Sequence, residues 1–267
     1  MMYVVFTDLD GTLLDHTTYS CDAAQPALNL LREKGYPLVF CTSKTRAELE
    51  VFLEEMGVRD PFISENGGAI FIPKGYFNFS FDYQKETDRY LVIELGTAYQ
   101  TLRDVLKSVE KESGCKIIGF GDMTPEEIGL DCGLDCRSAE LSKMREYDEA
   151  FKIEGGEECV DAVLKMIEDH GLSYTRGGRY YHIMGDCDKG KAVSILTDLF
   201  RRKSSDLKTI GIGDSSNDLP MLEAVDIPVI VKKPDGSYER QVPAGVLRAL
   251  GAGPVGWNWA ILEMLKG

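Results

Sequence analysis

The first hydrophobic run of the chain is short and continuous, and polar residues follow it directly. Tyr3-Val4-Val5-Phe6 is apolar and leads into Thr7-Asp8-Leu9-Asp10-Gly11. A continuous apolar run of this length is typical of a strand that is buried on both faces. The pattern therefore predicts a central strand that ends in a polar turn.

Helical and strand patterns alternate over the next seventy or so residues. Apolar residues at helical spacing predict two amphipathic helices, which stop at Gly35 and Gly57. Short apolar runs between and after them predict buried strands. The predicted helices cover 24–31 and 45–56, and the predicted strands cover 37–41, 61–64 and 69–72. Strands that alternate with helices in this way predict a parallel sheet covered by helices.

The middle of the chain has a different texture, from about residue 83 to residue 185. Alternating strands, several helices and a hairpin pattern around Gly177-Gly178 predict an antiparallel sheet with helices on one side. The predicted strands are 90–95, 116–120, 150–153 and the hairpin 174–184. The segment 83–185 is therefore predicted to be an inserted α+β domain.

The α/β rhythm resumes after Gly185. The elements predicted there are a helix over 190–200, a strand over 209–213, a helix over 219–224, a strand over 227–231 and a surface loop over 232–245. The predicted fold class is α/β, with a doubly wound parallel-sheet core interrupted by the insertion. The predicted domains are a core in two parts, 1–82 and 186–267, and the insertion 83–185.

Composition narrows the classes of function. The chain has 267 residues, of which 43% are hydrophobic and 28% charged, and this balance predicts a globular protein with a sizeable core. Its net charge of −14 argues against nucleic-acid or anionic-membrane partners, because both require a cationic surface. A small substrate or a metal ion is favoured instead.

The cysteines and the N-terminus bear on the compartment. Seven cysteines are scattered without a CxxC pair, and the first residues lack the basic start and long apolar stretch of a signal peptide. No apolar run approaches the roughly 20 residues that cross a bilayer. We expect a reduced, cytoplasmic protein.

Two acidic clusters follow predicted strands. Asp8 and Asp10 are two residues apart, so the alternation of a strand directs both carboxylates to one side. Asp214 and Asp218 follow strand 209–213. Either cluster alone could be a solvated turn, but together at one sheet edge they form a histidine-free set of oxygen ligands that suits Mg²⁺.

Two further groups favour an anion at the same edge. Thr42-Ser43-Lys44 follows strand 37–41, and Lys189 stands at the start of helix 190–200. Hydroxyl groups, ammonium groups and a helix N-terminus all stabilise a phosphate. Taken singly, Thr42 could be a helix cap and Lys189 a surface charge. Their joint order along the chain is what points to a phosphate site.

This order of motifs resembles the haloacid dehalogenase-like phosphatases. The motifs are Asp8-Leu9-Asp10-Gly11-Thr12, then Thr42, then Lys189, then Gly213-Asp214-Ser215-Ser216-Asn217-Asp218. The resemblance implies that Asp8 is the nucleophile that accepts the phosphoryl group. It implies that Asp10 protonates the leaving oxygen and then activates water.

The same resemblance implies the ligands of phosphate and metal. Thr42, Ser43 and Lys189 would hold the phosphate. Asp8, the backbone carbonyl of Asp10, and Asp214 would bind Mg²⁺, with Asp218 supporting the metal site.

An insertion between the second and third motifs is where the sugar phosphatases of this family carry a cap over the substrate. Several runs are similar to the branch that acts on mannosyl-3-phosphoglycerate: Cys41 to Arg46, Glu65 to Ala69, Arg145 to Glu149, and Gly177 to His182. The substrate of that branch has a phosphate, a carboxylate and a sugar, or in a close relative glucose in place of mannose. The resemblance implies substrate contacts from Lys44, Asn66, Gly67, Gly68, Glu146, Asp148, Arg179, His182 and Asn217, with Arg179 and His182 for anions.

Other interpretations remain open. The protein could be a phosphatase of other sugar phosphates or a phosphohexomutase on the same scaffold. A receiver-type signalling domain also accepts phosphate on an aspartate, but it needs no inserted cap. Gly211-Ile212-Gly213 resembles a dinucleotide-binding loop, yet Asp214 would repel a pyrophosphate. The expected partner is a small phosphorylated glycoside, and the expected state is a monomer or homodimer.

Overall fold

The computed structural model describes residues 1–177 and 179–266. Gly178, in the predicted hairpin turn, and Gly267 lie outside the described residues. The strands are β1 Met2–Thr7, β2 Leu38–Phe40, β3 Phe62–Ser64, β4 Ala69–Pro73, β5 Lys85–Glu86, β6 Tyr90–Glu94, β7 Lys116–Gly119, β8 Asp148–Glu154, β9 Ser173–Gly177, β10 Tyr180–Met184, β11 Leu207–Gly213, β12 Ile227–Lys232 and β13 Leu247–Ala252. The α-helices are α1 Gln25–Lys34, α2 Arg46–Met56, α3 Tyr99–Ser113, α4 Pro125–Cys132, α5 Cys136–Ser142, α6 Glu157–Asp169, α7 Lys189–Lys203, α8 Leu219–Glu223 and α9 Gly253–Met264.

The core is a five-stranded sheet in the order β13-β12-β11-β1-β2, and every neighbouring pair is parallel. Both of its faces are covered. In β1, Val5 packs in one apolar cluster with Trp257 of α9, while Val4 and Phe6 pack in another with Leu196 of α7. Burial on both faces explains why β1 reads as a continuous apolar run. The predicted α/β class is confirmed.

The helix ends follow local sequence signals. Helices α1 and α2 are capped by Gly35 and Gly57, whose φ angles of 65° and 64° lie in the left-handed region that glycine adopts readily. Helix α2 begins in a capping box in which Thr45 and Glu48 each accept the other's backbone amide. These ends agree with the predicted helix stops.

Two antiparallel sheets flank the core sheet. One has the order β3-β4-β6-β5 and meets the core sheet through a bridge between Cys41 and Ile63. The other has the order β7-β8-β10-β9. The strands β5 and β6 fall in the predicted insertion 83–185, yet β6 pairs with β4, and β5 pairs with β6. The domain boundary at residue 83 stays a prediction. This pairing favours a boundary after β6, because β5 and β6 belong to the same sheet as β4.

The sheet β7-β8-β10-β9 is covered more fully than predicted. Leu106 of α3 and Val163 of α6 pack against Phe151 of β8 on one face, as the predicted one-sided arrangement requires. Ile128 of α4 and Ala139 of α5 join a second apolar cluster that includes Phe120, Ala150 and Tyr180. Neighbouring residues of β8 point to opposite faces, so the helices are not all on one side.

Two features correct the expectations. Cys115 and Cys159 form a disulfide within the inserted segment, with Cα atoms 5.8 Å apart, so the chain is not fully reduced. The residues lie 44 positions apart, and no spacing motif reveals such a pair. The elements β13 and α9, which complete the core after the loop 232–245, were not predicted.

Among the described residues, none of the helices has the length and apolar character that crossing a membrane requires.

Candidate active site

Three carboxylates meet where the parallel strands β1 and β11 end. Asp8 follows β1, and its backbone amide donates to the carbonyl of Ile212 at 3.0 Å. Asp214 and Asp218 belong to the loop that follows β11. One carboxylate oxygen of each of Asp8, Asp214 and Asp218 lies within 4.8 Å of the others, and all three residues are buried. The carboxyl ends of adjacent parallel strands bring these side chains together, as the sequence predicts.

Lys189, the first residue of α7, supplies a counter-charge to this cluster. Its Nζ lies 2.8 Å from Oδ1 of Asp8 and 2.6 Å from Oδ1 of Asp218, and its side chain is fully buried. Burial disfavours the ammonium, but the two carboxylates outweigh it and raise the pKa of Lys189. Lys189 is therefore a permanently charged group at the base of the site.

Asp218 is committed to holding the loop in place. Its Oδ2 accepts the backbone amides of Asp214 at 3.0 Å and Ser215 at 3.1 Å. A Cβ on Gly213 would overlap the Asp218 side chain, so glycine permits this tight turn. Asp218 thus orients Asp214, whose Oδ1 accepts a hydrogen bond from Thr12 at 3.4 Å.

The carboxylates have an excess of negative charge that suits a divalent cation. Burial raises the pKa of Asp8 to about 7, in spite of Lys189. Burial, together with the charges of Asp218 and Asp8, raises the pKa of Asp214 to about 8. Hard carboxylate oxygens of this kind match the donor set that Mg²⁺ prefers. The residues present fit the predicted metal site.

Asp10 lies at the mouth of the cluster and is held by Lys44. The distance from Lys44 Nζ to Asp10 Oδ2 is 2.9 Å, and Glu48 Oε1 lies 3.6 Å from the same Nζ. Within the described residues, Oδ1 of Asp10 is buried and has no hydrogen-bond partner. Lys44, predicted to contact substrate, thus contacts Asp10 directly.

The predicted phosphate-binding segment follows β2. Thr42 is buried, and its carbonyl accepts the backbone amide of Asn66 at 3.0 Å. Its Oγ1 accepts the backbone amide of Lys44 at 3.4 Å. The carbonyl of Ser43 faces the guanidinium of Arg145, whose Nη1 is 3.5 Å away. Thr42 and Ser43 therefore stand between the sheet edge and the inserted segment.

The turn 65–68 joins the core to the inserted segment. Glu65, Asn66 and Gly67 have φ angles of 48°, 56° and 93°, a left-handed run that is unusual for non-glycine residues. A Cβ on Gly67 would overlap the carbonyl of Asp188, and one on Gly68 would overlap Tyr147. Close approach to the Asp188 backbone and to the Tyr147 side chain thus explains these two glycines, which were predicted to contact substrate.

Glu65 is the main polar link between the two parts, and sequence reasoning gave it no role. Its carboxylate is fully buried and accepts the backbone amides of Glu146 at 3.0 Å, Tyr147 at 2.8 Å and Asp148 at 2.9 Å. Burial raises the pKa of Glu65 to about 7, although Arg145 and these amides oppose the rise. Its place in the run Glu65 to Ala69 was the only sequence signal.

A hydrogen-bond network connects Asp148 to the core. Asp148 accepts a hydrogen bond from Nδ2 of Asn66 at 3.0 Å. The Oδ1 of Asn66 in turn accepts a hydrogen bond from Nδ2 of Asn217 at 3.1 Å. Asp148 also pairs with Arg145 and lies 2.9 Å from Nδ1 of His182. Burial and Arg145 lower the pKa of His182 to about 3, so the imidazole is neutral and donates from Nδ1.

A cavity of about 150 Å³ lies between the core and the inserted segment. Its lining includes Asp10, Tyr19, Ser43, Lys44 and Glu48 from the core and Phe120, Arg145, Tyr180 and His182 from the insertion. Of the nine residues predicted to contact substrate, Lys44 and His182 line it and the other seven do not. Those seven are Asn66, Gly67, Gly68, Glu146, Asp148, Arg179 and Asn217. Glu146 pairs with Arg46 at 2.8 Å and Lys85 at 3.1 Å, and Arg179 is exposed.

Tyr19 and Arg145 line this cavity but were given no role from sequence. The sequence signal for Arg145 is the run Arg145 to Glu149, in which substrate contacts were predicted from Glu146 and Asp148. Tyr19 carried no motif. The roles predicted for the other site residues stay predictions.

A family model described as haloacid dehalogenase-like hydrolase matches residues 5–100 and 139–237. A glucosyl-3-phosphoglycerate/mannosyl-3-phosphoglycerate phosphatase from Methanococcoides burtonii is 56% identical over 266 residues, which cover 99% of this chain and 98% of the relative. A mannosyl-3-phosphoglycerate phosphatase from Pyrococcus horikoshii is 40% identical over 231 residues, which cover 86% of this chain and 91% of the relative.

The fold also matches a solved structure. A phosphatase of the haloalkanoate (HAD) enzyme superfamily from Bacteroides thetaiotaomicron superposes with a TM-score of 0.69 at 19% identity. The match covers 99% of this chain and 95% of the other. Likeness at this level of identity concerns the fold alone.

Proposed function

The chain belongs to the haloacid dehalogenase-like hydrolases, as its motifs predicted, and from this premise we propose that it removes the phosphate of glucosyl-3-phosphoglycerate or mannosyl-3-phosphoglycerate. It is a phosphoric monoester hydrolase like the relatives that share most of its length. The products are the glycosylglycerate and inorganic phosphate.

The observation that carries this proposal is the arrangement of charge around Asp8. Asp8 lies 2.8 Å from Nζ of the buried Lys189 and clusters with Asp214, while Asp10, two residues further on, lines a cavity to which both parts of the chain contribute. A buried carboxylate next to a fixed cation is a suitable nucleophile for a phosphate dianion, because the cation offsets the repulsion between the two anions. The inserted segment covers this point and serves as the cap.

The residues of the chain divide the two steps between them. Asp8 attacks phosphorus and forms an aspartyl-phosphate, while Asp10 gives a proton to the departing ester oxygen. Water then attacks the phosphorus of the aspartyl-phosphate, and Asp10 takes its proton, so that Asp8 and Asp10 return to their starting states. Thr42, Ser43 and Lys189 hold the phosphoryl oxygens in both steps.

Mg²⁺ is the proposed cofactor. Asp8, Asp214 and the backbone carbonyl of Asp10 would hold it, with Asp218 supporting the loop that carries Asp214. When bound, the ion supplies further positive charge against which the transferring phosphoryl group is stabilised. The raised pKa values of Asp8 and Asp214 support this assignment, because a cation would favour both ionised forms.

The class of partner is proposed from the charge of the chain. A net charge of −14 supports a small phosphorylated glycoside as the partner, without nucleic acid or membrane. We keep the cytoplasm and a monomer or homodimer as proposals.

Phosphate release tests the function directly. The purified chain with Mg²⁺ is given mannosyl-3-phosphoglycerate, glucosyl-3-phosphoglycerate and a panel of hexose phosphates, and both phosphate and the organic product are measured. We expect multiple turnovers with the two glycosyl phosphoglycerates. Turnover confined to hexose phosphates would overturn the substrate, and isomerised hexose phosphate without phosphate release would indicate a mutase.

Two variants make the test specific to the site. Asp8→Asn should abolish turnover while the protein stays folded, since the amide is a poor nucleophile. A matched control is Asp104→Asn on the cap helix α3. Asp104 is exposed and has no role assigned above. Asp8→Asn with retained activity would reject Asp8 as the nucleophile.

A further inference from the structure

Arg145 lines the cavity and has an unused hydrogen-bonding edge. Its side chain is 5% exposed, and its Nη1 pairs with Asp148 and approaches the carbonyl of Ser43. Within the described residues, the buried Nε has no hydrogen-bond partner, and Nη2 donates no hydrogen bond. The Nε and Nη2 groups of a guanidinium form a planar fork that matches the two oxygens of a carboxylate.

A buried, unpaired donor of this kind is costly unless a ligand satisfies it. The cavity lies on the route from Arg145 to the catalytic edge, because Asp10, Ser43 and His182 line it together with Arg145. Phe120 packs beneath the guanidinium at 5.5 Å from its ring centroid and holds the plane in position. The fork is therefore fixed in orientation before any ligand arrives.

The two buried lysines near the site have their charges committed elsewhere. Lys189 pairs with Asp8 and Asp218, and Lys44 pairs with Asp10 and Glu48. His182 is neutral, with its Nδ1 bound to Asp148. Arg179 is exposed and is not among the residues that line the cavity.

We propose that Arg145 binds the glycerate carboxylate of the substrate through its Nε and Nη2 groups and so determines specificity for phosphoglycerate esters. This inference rests on the proposed function and assigns a residue to the anion that distinguishes the substrate from an ordinary sugar phosphate. It replaces Arg179 and His182, which the family resemblance suggested for anions. The phosphate stays with Asp8 and Lys189.

The test compares two ligands that differ only in the carboxylate. Hydrolysis of p-nitrophenyl phosphate reports activity, and 3-phospho-D-glycerate and sn-glycerol 1-phosphate, which share the configuration at C2, are added as competitive inhibitors. In wild type we expect 3-phosphoglycerate to bind about 100-fold more tightly, the contribution of a bidentate, charge-assisted pair. In Arg145→Met this ratio of inhibition constants should fall to within about threefold.

Three further variants separate the explanations. Arg145→Lys keeps a charge beside Asp148 but lacks the fork, so the ratio should fall about tenfold without loss of folding. Arg137→Met, an exposed arginine of α5, is the matched control and should keep the wild-type ratio. Arg179→Met should also keep it; loss of the ratio there and not in Arg145→Met would overturn the inference.

The outcomes distinguish this inference from the proposed function. Wild type without any preference for the carboxylated ligand would reject both the phosphoglycerate substrate and the role of Arg145. Wild type with a clear preference that Arg145→Met and Arg145→Lys leave unchanged would reject the role of Arg145 alone. Melting temperatures of all variants establish that the comparison is made between folded proteins.

Discussion

Asp10 has one carboxylate oxygen paired and the other available. Lys44 holds Oδ2 at 2.9 Å, while the buried Oδ1 has no hydrogen-bond partner within the described residues. Since a buried polar atom without a partner is unfavourable, Oδ1 is suited to a group that the substrate brings. The leaving oxygen of a phosphate ester is such a group, which is consistent with an acid and base role for Asp10.

Asp10→Asn separates the two steps in which Asp10 takes part. Loss of proton transfer should lower kcat for a glycosyl phosphoglycerate by about 10² to 10⁴. The formation of aspartyl-phosphate from p-nitrophenyl phosphate should suffer less, because p-nitrophenolate leaves without a proton. Rapid-quench measurements should then find phosphorylated enzyme accumulating in the variant. Equal slowing of both steps with both substrates would contradict the assignment.

Asp8 and Asp214 make the metal-free protein sensitive to pH. Burial raises their pKa values from 3.8 to about 7 and about 8, whereas both groups ionise near pH 4 in the unfolded chain. Between about pH 4 and pH 8 the folded protein therefore holds protons that the unfolded chain has released. The free energy of unfolding falls as the pH rises through this range.

Urea unfolding in EDTA at pH 5 and pH 8 measures this effect. Wild type should lose roughly 3 kcal/mol more than Asp214→Asn between the two values, because the variant lacks one of the titrating groups. Mg²⁺ should stabilise wild type more at pH 8 than at pH 5, since binding at low pH must displace protons. Equal losses in the two proteins would show that Asp214 does not titrate in this range.

At the scale of elements, the turn 65–68 connects the core to the cap. Its left-handed residues direct the Glu65 carboxylate at three successive amides at the start of β8 and place Asn66 between Asp148 and Asn217. The same part of β8 carries Asp148, which pairs with Arg145. The turn thus couples the position of the cap to the groups that line the cavity.

Glu65→Gln should weaken this coupling. The amide retains one acceptor oxygen and turns its NH₂ toward backbone donors, so we expect a loss of about 1 to 3 kcal/mol from the free energy of unfolding. The kcat/KM for a glycosyl phosphoglycerate should fall about tenfold or more, while that for p-nitrophenyl phosphate changes by less than about threefold. Both are measured in steady-state assays.

Glu54→Gln provides the matched control, since Glu54 is exposed on α2. It should leave both substrates and the unfolding curve unchanged. If Glu65→Gln reduced activity on both substrates equally, Glu65 would support the catalytic groups themselves and not the closure of the cap.

The elements also separate what sequence could predict from what it could not. Asp8, Asp214 and Lys189 follow strands or begin a helix, so a local pattern places them at one edge of a parallel sheet. Glu65 and Arg145 act across the interface, and the contact of Glu65 with Glu146 spans 81 residues. Nothing in the local pattern reports such a contact, because it depends on how the cap is seated.

The same reason accounts for the missed elements of the core. Helix α9 is apolar around most of its surface, with Trp257 and Ile261 fully buried, so it lacks the one-sided pattern that marks an amphipathic helix. Strand β13 has exposed positions at Leu247 and Leu250 because it forms the edge of the sheet. Neither has the periodicity on which the other predictions relied.

At the scale of the whole molecule, the net charge of −14 conceals a local balance. The side chains of Lys44, Lys189 and Arg145 are each at least nine-tenths buried, and each pairs with a carboxylate. An acidic protein can therefore act on an anionic substrate, because only the charges at the cleft interact closely with it while exposed charges are screened. Lys44 and Lys189 come from the core, whereas Arg145 comes from the inserted segment.

The disulfide gives the cap a stability that the core does not share. It joins Cys115, just before β7, to Cys159 in α6 and closes a loop of 44 residues, for which chain entropy predicts about 4 kcal/mol of stabilisation. Replacing both residues by serine should lower the midpoint of cap unfolding and leave turnover at low temperature intact, because the site lies elsewhere. A thiol reagent checks the bridge in denatured protein. Five thiols should react before reduction, which is the number of free cysteines, and all seven should react after reduction. Seven reactive thiols before reduction would contradict the bridge. A loss of turnover in the folded double variant would instead indicate that the bridge sets the position of the cap over the site.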